Sequence, residues 1–187
     1  MKKSSILLSI LAIMVTLSAF TVPEGKLVSK KTHIKFFSHT AVEDIEANNN
    51  ASISTLDLAT GNVVFSVPMQ SFEFEKSLMQ KHFNSKKFLN TKAFPKAKLK
   101  GQITNLSEID FSKDGTYKAT VKGELSIKGI TKQIVESGTI TVKGSTIEVE
   151  SRFNITLADY EIIFVKGKPS SNIAKTVEVT MHAQYQK

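Results

Sequence analysis

Four histidines and one short acidic cluster are the residues of this sequence whose types and spacing could support chemistry. The histidines are His33, His39, His82 and His182. The acidic cluster follows His39 and consists of Glu43, Asp44 and Glu46. Carboxylates beside an imidazole can transfer protons or bind a metal ion, although no two histidines have the His-x-x-x-His spacing of a metal site. The two interpretations that remain are an enzyme using this cluster near His39, and a solvated loop without chemistry.

Other motifs of catalysis are absent from the sequence. There is no cysteine, which excludes thiolate chemistry and cysteine-based zinc sites. No Gly-x-Ser-x-Gly elbow and no glycine-rich phosphate loop occurs. We therefore expect no catalytic residues, no metal and no cofactor, and a protein that is not an enzyme.

The positive charge of the chain is carried almost entirely by lysine. The formal net charge is +8, and Arg152 is the one arginine. Nucleic-acid readers depend on arginine for bidentate contacts. Here many lysines alternate with apolar residues along strand-like segments, as on a solvated face of a sheet. We expect no nucleic-acid partner.

The first residues have the pattern of a secretory signal peptide. Lys2 and Lys3 precede an apolar run from Ile6 to Leu17, and the small residues Ser18 and Ala19 follow. The run is shorter than the roughly 20 residues that a membrane-spanning helix needs. We predict a cleaved signal peptide over residues 1–20, a single domain over 21–187, and a periplasmic or secreted protein.

Alternation of apolar and polar residues predicts the elements that must position any site. The clearest strand has its inward positions at Tyr117, Ala119, Val121, Gly123, Leu125 and Ile127. Similar runs begin at Ile34, Ile53, Val63, Leu99, Ile140, Ile147 and Val177. The run from Ile147 continues to Leu157, and Asn48–Asn50 is interpreted as a polar break between strands. Turns are predicted at Gly129 and at Gly144-Ser145.

About eight antiparallel strands can form a sandwich or a closed barrel, and an eight-stranded barrel can enclose one small ligand. The residues that alternation assigns to a lumen are Phe36, Phe65, Leu99, Val121, Leu125, Ile127, Ile140, Phe153, Ile155, Val179 and Met181. Small residues on these apolar faces either leave interior room or fit the taper and twist of the sheet; they are Gly101, Ala119, Gly123 and Ala183.

One segment, at about residues 72–90, has helical instead of strand spacing. Its bulky apolar residues recur three and four positions apart. A long insertion of this kind can close one end of a barrel or act as a lid over a ligand. The residues predicted to form this lid are Phe74, Leu78, Phe83 and Phe88.

Three segments resemble the YceI-like family. Leu78–Leu89 followed by Phe94-Pro95-Lys96-Ala97 resembles the family's helical segment and the following strand. Leu125–Lys132 reads Leu-Ser-Ile-Lys-Gly-Ile-Thr-Lys and resembles the family's hairpin motif, Leu-Thr-Ile-x-Gly-Val-Thr-Lys. Phe153–Ile162, with Asp159-Tyr160, is similar to the late strand and turn. The resemblance extends from about Gly25 to Lys187.

This resemblance implies an extended, lipocalin-like, eight-stranded antiparallel β-barrel that is exported and holds an amphiphilic isoprenoid in an apolar tunnel. The chain departs from the family pattern at Met79-Gln80, where a charged pair is frequent, and at Leu157 and Glu161, where arginine and glycine are common. A quinone or a fatty acid therefore remains an alternative ligand.

The sequence thus predicts an exported lipid-binding protein that acts as a carrier, a store or a stress-related binder. Lys81, His82 and Arg152 are the candidates for contact with an anionic head group. Transient membrane contact and a homodimer are both compatible with this interpretation. The alternative from another class is a fully packed structural or stress-response barrel that binds nothing.

Overall fold

The computed structural model describes residues 25–162 and 172–187, in which long antiparallel strands dominate. The predicted signal peptide lies outside the described residues. The strands are β1 Lys26–His39, β2 Asp44–Asp57, β3 Asn62–Pro68, β4 Glu73–Phe74, β5 Lys96–Ile103, β6 Gly115–Ile127, β7 Ile130–Lys143, β8 Thr146–Thr156 and β9 Thr176–Gln186. The α-helix α1 is Ser77–Asn84, and short 3-10 helices occupy Met69–Ser71, Leu106–Glu108 and Leu157–Tyr160.

The sheet closes on itself. Its strand order is β1-β9-β8-β7-β6-β5-β3-β2, and an additional β1–β2 pairing joins the two ends. The short β4 only adds two pairs to β2, Ala47↔Phe74 and Asn48↔Glu73. Eight strands therefore form a closed antiparallel barrel, which confirms the predicted fold class and decides against a sandwich. The helix α1 confirms the predicted helical insertion.

Two ends of the barrel are distinguished by their connections. At the end called here the mouth end lie the β1–β2 turn at residues 40–43, the insertion that contains α1, and the β6–β7 turn. That turn consists of Lys128 and Gly129, both at positive φ (51° and 81°), the geometry that matches the twist of a two-residue hairpin. The turns at 58–61 and 144–145 lie at the opposite, distal end.

The predicted polar break at Asn48–Asn50 is wrong, because β2 runs through it without interruption. Asn49 is fully buried. Its Nδ2 donates a hydrogen bond to the Pro68 carbonyl at 2.8 Å, and its Oδ1 accepts from the Ala51 amide and the Ser52 hydroxyl at 3.1 and 3.0 Å. Because the amide group is satisfied at both atoms, a buried asparagine is tolerated inside the strand.

The strand β8 ends at Thr156, one residue before the predicted end at Leu157, and Leu157 still lines the cavity. Leu157–Tyr160 forms a 3-10 turn instead, and Glu161 closes it in the left-handed conformation with φ 50°. The carbonyl of Leu157 accepts a hydrogen bond from the amide of Ile162 at 3.0 Å. The turn packs against β7 and β8.

Gly101 and Gly123 do not provide interior room. They lie opposite each other in the β5–β6 ladder, where a Cβ on Gly123 would fall 2.3 Å from the Lys100 carbonyl oxygen and 2.5 Å from the Gly101 Cα. These glycines permit a close approach of two strands, which is the second of the two interpretations of the small residues. Ala119 and Ala183 are both buried in the core.

The distal half of the barrel is densely packed. The large, fully buried side chains Leu56, Ile140, Val142, Ile147 and Tyr185 all lie there. A chain of hydroxyl groups accompanies them, since the Tyr185 hydroxyl donates to Ser54 Oγ at 2.7 Å and Ser54 Oγ lies 2.8 Å from Thr32 Oγ1. Burial raises the pKa of Tyr185 to about 12, against the smaller opposing effect of the Ser54 hydrogen bond. The interior is therefore closed at this end.

Candidate functional site

The mouth half of the barrel contains a cavity of about 780 Å³. Inward side chains of β1, β2, β3, β5, β6, β8 and β9 form its wall, and most of them are aliphatic or aromatic. The volume lies within the roughly 300–1,000 Å³ of ordinary ligand sites. A cavity of this size does not fit the alternative of a fully packed barrel.

Most residues that alternation assigned to the lumen line this cavity. The nine that do are Phe36, Phe65, Leu99, Leu125, Ile127, Phe153, Ile155, Val179 and Met181. The other two, Val121 and Ile140, border a separate space of about 40 Å³ near β7 and β8. There the β7–β8 ladder stops at the pair Gly138↔Ser151, so the two strands separate beyond it. Contact between any of these residues and a ligand remains a prediction.

The four predicted lid residues, Phe74, Leu78, Phe83 and Phe88, all line the cavity. Phe83 is only 6% exposed and is the centre of an aromatic cluster. Its ring centroid lies 5.6 Å from Phe36 of the barrel wall, 5.4 Å from Phe72 and 5.0 Å from Phe74. An eight-residue helix is not stable alone in water, so these ring contacts hold α1 across the mouth.

The outer side of α1 differs from its buried side. Leu78 is 61% exposed although it reaches the rim of the cavity. Lys81 and His82 follow it by three and four positions and therefore share its side of the helix. Both are exposed, and of the two only His82 lines the cavity.

A polar rim joins three segments at the mouth. Lys76 Nζ lies 2.8 Å from Glu43 Oε1, and the Asn172 amide donates to Glu43 Oε2 at 3.0 Å. Nearby, Ser38 Oγ accepts a hydrogen bond from the Ala174 amide at 2.9 Å. The pKa of Glu43 is lowered mainly by the hydrogen bond from Lys76 and, to a smaller extent, by the hydrogen bond from Asn172. The contact with Glu43 in turn raises the pKa of Lys76. The rim ties α1 to the β1–β2 turn.

Sequence reasoning missed this rim. The sequence groups Glu43 with the acidic cluster near His39, and nothing in the local pattern marks Lys76 or Asn172. No local pattern could have found the three residues, because they are brought together only when the barrel closes.

The three acidic residues near His39 have separate partners. Glu43 pairs with Lys76, Asp44 Oδ1 lies 2.6 Å from His39 Nδ1, and Glu46 lies 3.4 Å from Lys35 Nζ. His39 and Asp44 are exposed and neither lines the cavity. Across residues 25–162 and 172–187, no group of three or more histidine, aspartate or glutamate side chains could hold a metal ion.

Arg152, which is predicted as a head-group contact, is not among the residues that line the cavity. Its side chain is 68% exposed, and its Nε lies 3.7 Å from Glu178 Oε1 on the neighbouring strand. The reason is the alternation of β8, which directs Phe153 inward and so directs Arg152 outward. Lys81 is likewise outside the cavity lining.

Comparison with known proteins gives one family and several similar barrels. The model of the YceI-like domain family matches residues 26–185. A polyisoprenoid-binding domain from Saccharophagus degradans, implicated in plant cell wall breakdown, has a TM-score of 0.72 at 12% identity, with 87% of this chain and 98% of that chain covered. BcnA from Burkholderia cenocepacia has a TM-score of 0.69 at 19% identity, with 82% of this chain and 96% of that chain covered. A YCEI protein from Campylobacter jejuni has a TM-score of 0.55 at 16% identity, with 71% of this chain and 78% of that chain covered. At such identities the likeness shows the fold alone. No curated protein matches the chain.

Proposed function

The chain belongs to the YceI-like domain family, and from this premise we propose that it binds one elongated apolar or amphiphilic lipid in its barrel. The observation that carries the proposal is the apolar cavity of about 780 Å³, which is covered by α1 at one end and closed by packed side chains at the other. A blind apolar cavity with a polar rim suits a molecule that has an apolar tail and a polar head.

The size of the cavity sets the size of the ligand. At roughly 30 Å³ for a water-sized group, the cavity holds on the order of 25 such groups. Burying the surface of a tail of that length contributes roughly 25 cal/mol per Å². This driving force needs no catalytic group, and the protein would act as a carrier, a store or a stress-related binder.

The orientation of the ligand follows from where polar groups occur. The distal half is packed, so the tail would point toward Phe65 and Met181, which border both the cavity and the small space beyond it, and the head would lie beside His82 and the Glu43–Lys76 pair. We propose an isoprenoid as the first candidate, since a structurally similar barrel is a polyisoprenoid-binding domain. A quinone and a fatty acid are the other candidates.

Export is part of the same proposal. The signal-peptide pattern of residues 1–20 supports a periplasmic or secreted location, where a lipid with a long tail would need a protein to remain dispersed. No helix within the described residues is long and apolar enough to cross a membrane.

Native mass spectrometry of the protein purified from its own host tests the proposal. We expect an added mass that disappears on denaturation and matches one lipid in an organic extract, and this mass distinguishes an isoprenoid from a quinone or a fatty acid. A ligand-free protein that also takes up no lipid from membranes would contradict the proposal.

A catalytic role is not proposed, because the exposed His39–Asp44 pair does not border the cavity. A turnover measured on the purified protein and abolished by joint substitution of Glu43, Asp44 and Glu46 would revive the enzyme alternative.

A further inference from the structure

The helix α1 and its connection to β5, which cover the mouth, are basic. From Lys76, at the start of α1, to Pro95, just before β5, the sequence contains five lysines and neither aspartate nor glutamate, although Glu73 and Glu75 precede this stretch. Four of these lysines, Lys81, Lys86, Lys87 and Lys92, lie in α1 and the connection to β5 and are exposed. None of the four forms an ion pair within the described part of the chain. Their charge is therefore directed to solvent.

Exposed apolar residues lie at the same end of the barrel. Leu78 of α1 is 61% exposed and Val42 of the β1–β2 turn is 63% exposed. The Glu43–Lys76 ion pair at 2.8 Å holds these two segments together. We call Val42, Leu78, Lys81, Lys86, Lys87 and Lys92 the mouth surface. It combines protruding apolar groups with surrounding cationic groups.

We propose that the mouth surface docks on a bilayer that contains anionic lipids. Apolar side chains surrounded by lysine are the composition of surfaces that lie in a membrane interface. Lysine is a flexible point charge and suits a diffuse layer of head groups, whereas arginine would suit bidentate recognition of an acidic protein. Docking would place the lid directly against the bilayer. The purpose of this surface rests on the proposed lipid binding, but its binding to vesicles requires no cargo.

The contribution of the lysines can be estimated. A lysine near an anionic surface contributes about 1 kcal/mol, which is roughly fivefold in affinity. Lys81, Lys86 and Lys92 do not line the cavity, so their joint replacement by glutamine leaves the lipid site intact. We expect this triple variant to bind anionic vesicles about 100-fold more weakly. Added salt should likewise weaken the binding of the wild-type protein to anionic vesicles.

The test is co-sedimentation with vesicles of phosphatidylcholine alone and of phosphatidylcholine mixed with phosphatidylglycerol. The matched control is Lys113→Gln, Lys118→Gln and Lys143→Gln, which removes the same charge from exposed lysines that do not border the mouth. A second pair compares Val42→Thr with Val135→Thr, because both valines are 63% exposed and only Val42 is at the mouth. All variants are expressed from the full chain and so carry the same N terminus.

We expect the protein to bind only the mixed vesicles. The mouth triple variant should lose most of this binding, and its control should lose little. Val42→Thr should bind severalfold more weakly, whereas Val135→Thr should bind as the wild-type protein does. Equal losses in both triple variants, equal binding to both vesicles, or capture of an acidic protein without vesicle binding would overturn the proposal. Native mass spectrometry of the same samples separates the two proposals. A mouth variant that keeps its lipid but loses vesicle binding supports docking, and a wild-type protein that binds vesicles but never contains lipid contradicts only the lipid site.

Discussion

Filling the cavity with one side chain should displace lipid without destabilising the barrel. Ala97 of β5 is buried and lines the cavity, so Ala97→Phe places a ring inside it. The ring adds about six carbon atoms, or about 180 Å³ at roughly 30 Å³ for each water-sized group. That is close to a quarter of the cavity volume of about 780 Å³.

The effect on affinity follows from the lost room. Each methylene-sized group that can no longer be buried forfeits about 0.8 kcal/mol, so six give an upper limit of about 5 kcal/mol. This corresponds to between about three and four orders of magnitude in the Kd, and a flexible tail that shifts into the remaining space should still lose about tenfold in affinity. The assay is displacement of a fluorescent lipid, together with urea unfolding of the lipid-free protein.

The matched control for this experiment is Lys100→Phe, on the exposed outer face of the same strand. It should bind lipid as the wild-type protein does. Unchanged lipid affinity in Ala97→Phe would refute the assignment of the cavity as the site. A loss of about 1–3 kcal/mol in its free energy of unfolding would also refute the reasoning, because that loss is the mark of overpacking a core that was already full.

Three further predictions concern the packed end, the strand pairing and the rim. Tyr185→Phe should lower the free energy of unfolding at neutral pH by about 1 kcal/mol. Burial raises the pKa of Tyr185 to about 12, above the roughly 10 of the unfolded chain. The stability that the protonated hydroxyl contributes is therefore present below about pH 10 and is lost toward pH 12. Urea unfolding should show the free energy of unfolding falling more steeply with alkaline pH in the wild type than in the variant. Gly123→Ala would place a Cβ 2.3 Å from a β5 carbonyl oxygen and should lower the free energy of unfolding by about 3 kcal/mol. Gly115→Ala, at the start of the same strand, should lower it by about 0.5 kcal/mol or less. Equal losses of stability in thermal melts would contradict the close approach of the two strands. Glu43→Gln removes the ion pair with Lys76 and should increase the rate of lipid release measured by stopped-flow transfer. The wild-type protein should show the same increase in rate as the pH falls through the lowered pKa of Glu43. Unchanged rates would exclude the rim as a restraint on the lid.

The faces of the strands could be predicted from the sequence because they depend on local alternation. Phe36, Leu99, Leu125 and Phe153 all line the cavity as expected. The same pattern could not tell which inward residues would border open space. Ile140 is inward but contributes to the packed half, since the division of the interior depends on which side chains meet from distant strands.

Other features required the closed barrel. The rim of Glu43, Lys76 and Asn172 combines positions that are far apart in the sequence. The burial of Asn49 depends on the Pro68 carbonyl, which reaches it from another strand. Tertiary hydrogen bonds of this kind override the local preference of asparagine for turns, and no pattern within one segment reports them.

The outward position of Arg152 was available in the sequence, because the alternation that directs Phe153 inward also directs its neighbour outward. Residue type alone suggests Arg152 as a head-group contact, but its position in the strand places it on the outer face. Strand register is therefore the stronger guide to cavity residues in this fold.

The most direct test of the account is a crystal structure of the protein purified from its own host. We expect continuous electron density for one elongated molecule that passes beneath Phe83, follows the wall at Leu125 and Met181, and ends above the hydroxyl groups of Ser54 and Tyr185. A cavity collapsed onto its own side chains, or one that contains only ordered water, would contradict the claim that this barrel holds a lipid.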